Sequence, residues 1–444
     1  MIGADAAPAS GTEHMRLTAA AILVALGLAG QAQATSPPAA WVQMTGAGAQ
    51  VRAVAEGQAC PTLKVDGKLR AMKLRAGPDE AFPRRICEAP LPAGAGRASL
   101  GGRPLPMPKA RPQRLVILGD TGCRLKSPLV QDCNDPVAGW PFARVAGLAA
   151  ARKPDLVIHV GDYYYRETAC PPGDAACAGS PYGDKWATWK AELFDPAAGL
   201  LKAAPWIFAR GNHEDCNRGG KGWFRLLDAA DKVRTCPAQS DTFLVDIGGL
   251  TLGVVDSADP DDVKLQPDQV DAFGRNLTPL EAAKTPVWLV THRPMWEIFR
   301  TGPQVFTDTG GNVNERQAVK ARAPGKTELI VAGHLHTFYS LDFGAGRPAQ
   351  LVVGTGGDLL DSDKAKAVVQ GTIPVDGAQA GIFGMDRFGY FVFDRVGGGS
   401  ADDWQGAFHD LTDAVIATCA LHAGRLTCAE APGATEAARE GAKE

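Results

Sequence analysis

The sequence predicts an α/β protein with a small β domain near its N-terminal end. From position 115 onwards, short and nearly continuous apolar runs recur, such as LVILGD and LVIHVGD, and such runs are typical of strands buried on both faces. Helix-like segments at 138–152 and 185–202 separate several of these runs, and alternating strands and helices indicate an α/β domain. Residues 41–110 instead form short alternating stretches broken by glycine and proline, which is typical of a small β domain.

The N-terminal segment has the pattern of a secretory signal peptide. From Met15 the chain reads MRLTAAAILVALGLAGQAQA, in which a basic residue precedes an apolar stretch and an Ala-x-Ala cleavage pattern ends at Ala34. The apolar stretch is too short to span a membrane comfortably. We interpret residues 1–14 as a misassigned start or an extension. The sequence therefore predicts a periplasmic or secreted protein with no membrane span after cleavage.

The ten cysteines agree with export, because an even number in an exported chain indicates disulfides. No Cys-x-x-Cys pair is present, which disfavours a zinc knuckle. The sequence does not fix the connectivity, and nearest-neighbour pairing is our prediction. It gives the pairs 60–87, 123–133, 170–177, 216–236 and 419–428.

Changes in composition and runs rich in proline or glycine divide the 444 residues into four predicted segments. A signal peptide (1–34) precedes a β-rich accessory domain and linker (35–111), which ends within the proline-rich and basic run GGRPLPMPKARPQ. The main α/β domain (112–429) closes with a predicted hairpin held by the last cysteine pair, and a flexible tail (430–444) follows. The formal net charge is −3 and no basic block stands out, so we expect no nucleic-acid partner.

Polar residues follow most of the buried strands. Ligands of α/β sheets gather at the carboxyl ends of strands, so we expect these side chains to converge. Aspartate, asparagine and histidine are donors that hard and borderline metals prefer. The residues are Asp120 in GDTG, Asp162 in GDYYY, Asn212, His213 and Glu214 in GNHE, His292 in VTH, and His334 and His336 in GHLH.

The GHLH segment favours two metal ions over one. Gly333 marks a turn at the end of its strand, so the two imidazoles of His334 and His336 can reach two different ions. A separation of about 3.5–4 Å between the ions is what a two-metal hydrolytic site requires.

These five motifs, in this order, resemble the calcineurin-like metallophosphoesterases, and more narrowly the purple acid phosphatases. The pattern of that group is D-x-G, G-D-x-x-Y, G-N-H-[DE], V-x-x-H and G-H-x-H. Most of the superfamily has histidine where this chain has Gly122, and the purple acid phosphatases replace that missing ligand with a tyrosine, which here is Tyr165. The resemblance covers roughly 112–395, and Leu289 departs from the usual valine.

The resemblance implies a four-layer α/β/β/α sandwich and a ligand set for each of two metal ions. The ions would be iron(III) and a divalent ion (iron, zinc or manganese). The implied first site is Asp120, Asp162, Tyr165 and His336, and the second is Asp162, Asn212, His292 and His334. Asp162 would bridge both ions.

The implied activity is hydrolysis of a small phosphate monoester by a metal-bound hydroxide. His213 is then the candidate catalytic acid. We expect Glu214 to orient His213 or a ligand, and we expect Arg210 and Arg293 to form surface ion pairs. Tyr163 and Tyr164 are expected to pack or to line the pocket.

Three alternatives remain open at this stage. A phosphodiesterase or a nucleotide or pyrophosphate hydrolase of the same superfamily would use the same ligands. A metallophosphoesterase with divalent ions alone would leave Tyr165 as a packing residue. A non-catalytic exported binding protein on a phosphoesterase scaffold is disfavoured because all seven ligand positions are filled. The sequence predicts nothing about oligomeric state.

Overall fold

The computed structural model describes residues 39–301, 304–308, 311–321, 326–344, 346–361, 368–397 and 403–432. The predicted signal peptide and residues 433–444 of the predicted tail lie outside these ranges. Among the described residues, no helix has both the length and the apolar character that a membrane span requires.

Between positions 114 and 332 helices lie between strands, as the sequence predicts, and among the described residues only strands follow. The helices are α1 Phe142–Ala151, α2 Trp186–Trp189, α3 Ala198–Ala203, α4 Gly220–Leu226, α5 Pro267–Glu281 and α6 Val313–Ala321. The strands are β1 Ala39–Thr45, β2 Gly48–Ala55, β3 Thr62–Val65, β4 Lys68–Ala71, β5 Lys73–Ala76, β6 Arg85–Pro90, β7 Ala98–Leu100, β8 Arg103–Leu105, β9 Arg114–Leu118, β10 Leu125–Lys126, β11 Leu129–Val130, β12 Leu156–His159, β13 Trp206–Phe208, β14 Phe243–Asp246, β15 Thr251–Val254, β16 Val287–Val290, β17 Glu297–Thr301, β18 Gln304–Asp308, β19 Thr327–Ala332, β20 Phe338–Asp342, β21 Ala349–Val353, β22 Val369–Val375, β23 Ala378–Met385, β24 Gly389–Arg395, β25 Trp404–Asp410, β26 Val415–His422 and β27 Arg425–Glu430.

The helix-like segment at 185–202 is broken rather than continuous. Helix α2 leads directly into a π-helical turn, Lys190–Phe194, and α3 begins only at Ala198. Pro196 lies in the break, where its ring and its missing N–H prevent a continuous helix.

Two large sheets form the two inner layers of the sandwich. The larger has the order β27-β26-β25-β24-β9-β12-β13-β1-β2-β6-β5, and the smaller has the order β14-β15-β16-β19-β21-β20-β23-β22. Strands β9, β12 and β13 run parallel in the first sheet, and β15, β16, β19 and β21 run parallel in the second. The carboxyl ends of several strands therefore lie together at one edge of each sheet.

Alternation of side chains along each strand divides the core into layers. Leu115 and Ile117 of β9 join the cluster between the two sheets, which also contains Trp288 and Leu329. Val116, from the opposite face of β9, packs with residues of α1 and α3. A third cluster buries α5 against the smaller sheet. The predicted four-layer α/β/β/α sandwich with an N-terminal β region is confirmed.

The N-terminal β region continues the larger sheet. Strand β1 pairs in parallel with β13 through Gln43 and Trp206, while β4, β3, β7 and β8 form a separate four-stranded sheet. Two buried arginines, Arg52 and Arg75, donate to backbone carbonyl groups at the C-terminal end of α4 and just beyond it. The predicted boundary at 111 stays a prediction, since a shared sheet does not show whether either part folds alone.

All five predicted disulfides are present: 60–87, 123–133, 170–177, 216–236 and 419–428. The last one joins β26 to β27 through paired residues and closes the predicted hairpin. Three of the others begin within five residues of a predicted metal-binding motif, at Cys123, Cys170 and Cys216.

Candidate metal centre

The predicted ligands follow strands whose carboxyl ends lie together. Asp120, Asp162 and Asn212 come after β9, β12 and β13 of the larger sheet. His292 and His334 come after β16 and β19 of the smaller sheet. Side chains from both sheets therefore meet between the two sheet edges.

Three of these ligand residues have left-handed backbone conformations, which cost a non-glycine residue free energy. Their φ angles are 55° at Asp120, 59° at Asp162 and 72° at His334. Such conformations concentrate at functional sites, where the surrounding structure enforces them. The enforcement here includes the backbone N–H of His334, which donates to both carboxylate oxygens of Asp120 at 3.1 Å.

The four residues predicted for the first metal site converge on the phenol oxygen of Tyr165. It lies 2.9 Å from Asp162 Oδ2, 2.9 Å from His336 Nε2 and 3.2 Å from Asp120 Oδ1. Tyr165 and Asp120 are fully buried, and His336 is 7% exposed. The arrangement therefore places four metal-binding groups around a small and nearly enclosed point.

The residues predicted for the second site converge on the side-chain oxygen of Asn212. His292 Nε2 and His334 Nδ1 each lie 2.9 Å from this oxygen, and His292 Nε2 lies 3.2 Å from Asp162 Oδ2. Donor atoms of Asp162, His292 and His334 all lie within 4.8 Å of one another. Asp162 Oδ2 thus belongs to both groups of contacts, as a bridging ligand requires.

Gly122 leaves the space that the ring of Tyr165 occupies. A Cβ atom at position 122 would lie 2.6 Å from Tyr165 Cδ2, closer than real Cβ contacts allow. A Cβ atom at Gly211 would similarly lie 2.1 Å from Asp162 Oδ1. Gly122 and Gly211 are therefore required by the close approach of the Tyr165 and Asp162 side chains.

The donor set of the site fits bound cations. His292 Nδ1 lies 2.8 Å from the carbonyl oxygen of Val160, and His336 Nδ1 lies 2.6 Å from that of Leu359. Each contact requires a proton on Nδ1 and so leaves the Nε2 lone pair of the neutral ring facing the centre. Nε2 of His292 then faces only oxygen acceptors of Asn212 and Asp162, and a cation between these atoms removes the conflict.

The raised pKa values of His292 and His336 also show that this centre favours positive charge. Burial by itself lowers the pKa of His292, but the negative charge of Asp162 outweighs it and raises the pKa to about 9. Burial also opposes the charged form of His336, and the carboxylates of Asp358 and Asp120 raise its pKa to about 10. Without a metal ion, protons therefore supply positive charge at this centre, and metal binding must release them.

The phenol of Tyr165 is held in its neutral form when no metal ion is near. Burial, and then the charges of Asp162 and Asp120, raise its pKa well above the usual value. A cation directly bound to the oxygen reverses this balance, because a coordinated metal ion favours the anion. A highly charged ion suits such a ligand best.

His213 lies beside the first site and is paired with a residue that the sequence analysis missed. Its ring packs on that of Tyr165, with centroids 3.9 Å apart, and its Nδ1 lies 2.9 Å from Glu167 Oε1. Burial opposes ionisation of Glu167, yet its contact with His213 holds the carboxyl pKa at about 2. Lys126 and Arg218 lie 3.2 Å and 3.6 Å from the same carboxylate.

Glu214 holds the backbone of Asp162, a predicted ligand, which agrees with one of the two roles expected for it. Its carboxylate accepts backbone N–H groups of Gly211, Asp162, Tyr163 and Tyr164. Burial, followed by the charge of Asp162, raises its pKa to about 8.

The prediction that Arg210 and Arg293 form surface ion pairs is wrong, because both are buried. Arg210 is 2% exposed and pairs with Asp256 at 3.1 Å, while it also donates to the carbonyl oxygen of Glu214. Arg293 is 8% exposed and lies 3.5 Å from Asp262, whose other oxygen is 3.6 Å from His334 Nε2. Both arginines are therefore buried beside the site, where Arg210 contacts the carbonyl oxygen of Glu214 and Arg293 contacts Asp262, and neither faces solvent.

Tyr163 and Tyr164 are packing residues, as expected. Tyr163 is fully buried, stacks on His159 with centroids 4.0 Å apart, and donates to the carbonyl oxygen of Ala209. Tyr164 stacks near Trp189 at 6.2 Å. Neither hydroxyl takes part in the contacts described for the two groups of ligands.

Several supporting residues escaped the sequence analysis. Asp358 forms an ion pair with Arg124, and the guanidinium of Arg124 lies over the ring of Tyr165. The Asp358 carboxylate also lies 3.5 Å from His336 Nδ1. Asp358 ends the segment GTGGD at 354–358, within the range of roughly 112–395 that the family resemblance covers. Glu167 follows Tyr165 by two residues and could have been noticed for that reason. Glu192, in the π-helical turn, had no sequence signal.

Comparison with known proteins establishes the class. A family model described as calcineurin-like phosphoesterase matches residues 114–338, about half of the chain. The chain belongs to this family, whose members are metal-dependent hydrolases. No curated protein matches it in sequence.

Two solved structures are similar to this chain at low identity. A purple acid phosphatase, PPD1, isolated from yellow lupin (Lupinus luteus) seeds is 13% identical and aligns over 88% of this chain and 74% of its own, with a TM-score of 0.54. The structure of PhoD is 11% identical and aligns over 89% of this chain and 92% of its own, with a TM-score of 0.54. At such identities the likeness concerns the fold alone.

Proposed function

We propose that this chain is an exported phosphatase that hydrolyses phosphate monoesters and resembles the purple acid phosphatases. The observation that carries the proposal is the position of the Tyr165 phenol oxygen. It lies within 3.2 Å of carboxylate or imidazole atoms of Asp120, Asp162 and His336, and the ring that carries it occupies space that Gly122 leaves open. The superfamily's commoner histidine at position 122 would collide with this ring.

Asp120, Asp162, Tyr165 and His336 would hold iron(III), and Asp162, Asn212, His292 and His334 would hold a divalent ion. Two such ions, when bound, neutralise the charge of a phosphate ester and lower the pKa of water. The protein supplies three anionic ligands for this purpose, counting the phenolate of Tyr165. The summed charge of a trivalent ion, a divalent ion and these three anionic ligands is positive, which suits an anionic substrate.

His213 is the proposed donor of a proton to the leaving group. It is 6% exposed, its backbone N–H donates to Asp162 Oδ1 at 2.8 Å, and its ring packs on Tyr165. Its Nδ1 lies 2.9 Å from Glu167 Oε1, so Nε2 is on the side of the ring away from that carboxylate.

Arg218 and Lys126 supply positive charge beside this acid. The side chain of Arg218 is 24% exposed and that of Lys126 is 49% exposed, so both reach solvent while contacting Glu167. They would attract an anionic substrate towards His213.

Export is part of the proposal. Five disulfides among the described residues support an oxidising compartment, because such bonds are rare in the reducing cytosol. This agrees with the signal peptide predicted at residues 1–34 and with a periplasmic or secreted location. A small phosphate ester is the proposed substrate.

Metal analysis combined with the visible spectrum tests the metal centre. The purified protein should contain two metal ions per chain and should be coloured, because a phenolate bound to iron(III) absorbs visible light. Tyr165→Phe should remove the colour, whereas Tyr163→Phe, the neighbouring control, should keep it. A colourless, iron-free and active protein would contradict the purple acid phosphatase assignment and leave the phosphoesterase family intact.

Parallel assays test the substrate class. We expect faster hydrolysis of p-nitrophenyl phosphate than of bis(p-nitrophenyl) phosphate, with a maximum at acidic pH. A marked preference for the diester would replace the monoesterase proposal with a phosphodiesterase. Absence of hydrolysis of either compound by protein that holds both metal ions would favour the non-catalytic alternative.

A further inference from the structure

Two buried carboxylates take up every backbone N–H of the loop at 162–165. The first three N–H groups of the loop donate to Glu214 at 2.8–3.1 Å. The fourth, that of Tyr165, donates to Glu192 instead, at 3.1 Å from Oε1 and 3.2 Å from Oε2. The residue proposed as the unusual ligand is therefore held by a partner of its own.

Glu192 also holds the loop that follows Asp120. Its Oε1 accepts the backbone N–H of Cys123 at 2.9 Å, and a Cβ atom at Gly122 would lie 2.9 Å from the same oxygen. One carboxylate thus joins the backbone beside Gly122 to the backbone of Tyr165. Gly122 and Tyr165 are the two positions at which this chain exchanges the histidine of the commoner pattern for a tyrosine.

Burial of the Glu192 carboxylate is energetically costly, and a costly buried group is typical of a functional role. The residue is 1% exposed and its nearest cationic partner, Arg166, lies 3.8 Å away. Burial of a carboxylate costs free energy that backbone N–H donors offset only in part. Glu192 also lies within the π-helical turn Lys190–Phe194, and turns of this type are frequent at functional sites.

We infer that Glu192 is a positioning residue for Tyr165. Its carboxylate fixes the backbone of Tyr165 against the loop after Asp120, and it thereby sets the distance from the phenol oxygen to the other first-site ligands. Glu192 does not itself contact those ligand atoms. The inference rests on the proposed role of Tyr165 as a metal ligand.

The test compares Glu192→Gln and Glu192→Asp with wild-type protein. The first keeps the length of the side chain but loses one acceptor, and the second keeps the charge but shortens the reach. Asp184→Asn is the matched control, since Asp184 is a part-buried carboxylate that accepts the backbone N–H of Gly222 in α4 and not one from the ligand loops. Three quantities are measured: metal affinity of the metal-stripped protein by chelator competition, the visible band, and the unfolding temperature of the metal-free protein.

We expect both Glu192 variants to bind the ion of the first site about 10–100-fold more weakly, the usual effect of losing a group that orients a ligand. The visible band should shift or weaken, and affinity for the second ion should stay within about threefold of wild type, well below that usual effect. Asp184→Asn should leave both affinities and the band unchanged. Two results would overturn the inference: wild-type affinity and band in both Glu192 variants, or parallel loss of both ions with the same fall in unfolding temperature as the control.

A Tyr165→Phe arm separates this inference from the proposed function. If Tyr165→Phe loses the band while the Glu192 variants keep it, the positioning role is wrong and the ligand role stands. If Tyr165→Phe retains both ions and the wild-type spectrum, the proposed ligand set is wrong and the positioning role falls with it.

Discussion

Gly122 and Tyr165 are complementary, because a Cβ atom at position 122 would lie 2.6 Å from Cδ2 of the Tyr165 ring and 2.8 Å from the carbonyl oxygen of Tyr163. Gly122→Ala should therefore push the ring away from Asp120 and His336. We expect loss of most of the visible colour and weaker binding of one metal ion, measured by elemental analysis after dialysis. Gly147→Ala is the control, since nothing lies within 4 Å of a Cβ atom there. An unchanged spectrum in Gly122→Ala would show that the ring tolerates the collision.

His213 and Glu167 should act as a unit on the leaving group. We expect His213→Ala to lower kcat by about 10²–10⁴-fold for alkyl phosphates, whose leaving groups need a proton, and much less for p-nitrophenyl phosphate. Glu167→Gln should produce a smaller loss with the same dependence on the leaving group. His422→Ala, at an exposed histidine of the last hairpin, is the control. Equal losses for both substrates would exclude proton donation by His213.

Arg75 should be essential to the junction between the N-terminal β region and helix α4. It donates to the carbonyl oxygens of Phe224, Arg225 and Ala230, and it pairs with buried Glu88 at 3.0 Å. Arg75→Met leaves that carboxylate without one of its partners, and we expect the free energy of unfolding to fall by about 3–5 kcal/mol. Urea unfolding measures the change.

The control for this prediction is Arg70→Met, at an exposed position on β4. It should change the free energy of unfolding by no more than about 0.5 kcal/mol. A comparably small change in Arg75→Met would mean that the N-terminal region contributes little to the stability of α4.

The Cys216–Cys236 disulfide should support metal binding as well as stability. Cys216 follows the GNHE motif directly after Asp215, and both sulfur atoms lie near the Arg210 guanidinium, at 3.6 Å and 3.4 Å. Replacing both cysteines by serine should cost about 3 kcal/mol of unfolding free energy and weaken binding of the ion at Asn212. The matched control replaces Cys419 and Cys428, which should lower stability alone. If the Cys216/Cys236 and Cys419/Cys428 double variants bound metal equally well, the Cys216–Cys236 disulfide would have no specific effect on metal binding.

Glu315 should make the protein less stable as pH rises. It is fully buried, and burial raises its pKa from about 4.5 to about 7. Between these values the folded state holds a proton that the unfolded state has lost, so the free energy of unfolding falls as pH rises from about 4.5 to about 7, by about 3 kcal/mol in total.

Glu315→Gln removes this titration while keeping an acceptor for Asn312 and Thr291. Urea unfolding of the metal-free variant should show a gain over wild type at pH 8 that disappears at pH 4. A constant difference between the two proteins across that range would contradict the prediction.

The sequence by itself indicated the α/β domain and the polar residues that follow its buried strands, for reasons that are local, whereas the four-layer sandwich and the proposed ligand set came from the resemblance to a known family. Buried strands appear as apolar runs, and the residue after each run has to lie at a sheet edge. The sequence left the cysteine connectivity open, and the structure confirms all five pairs of the nearest-neighbour prediction. The Gly122 and Tyr165 exchange was visible as a departure from a motif, and the structure gives it a steric basis.

Only the tertiary structure decided which groups support the site. Glu192 contacts Tyr165 from 27 positions away, and Asp358 contacts Arg124 from 234 positions away, so no local pattern could connect them. The burial of Arg210 and Arg293 likewise depends on what packs over them, which adjacency to a motif does not reveal. Free energy of burial and hydrogen bonding is set by the whole surroundings of a side chain, and those surroundings exist only once the two sheets have closed on each other.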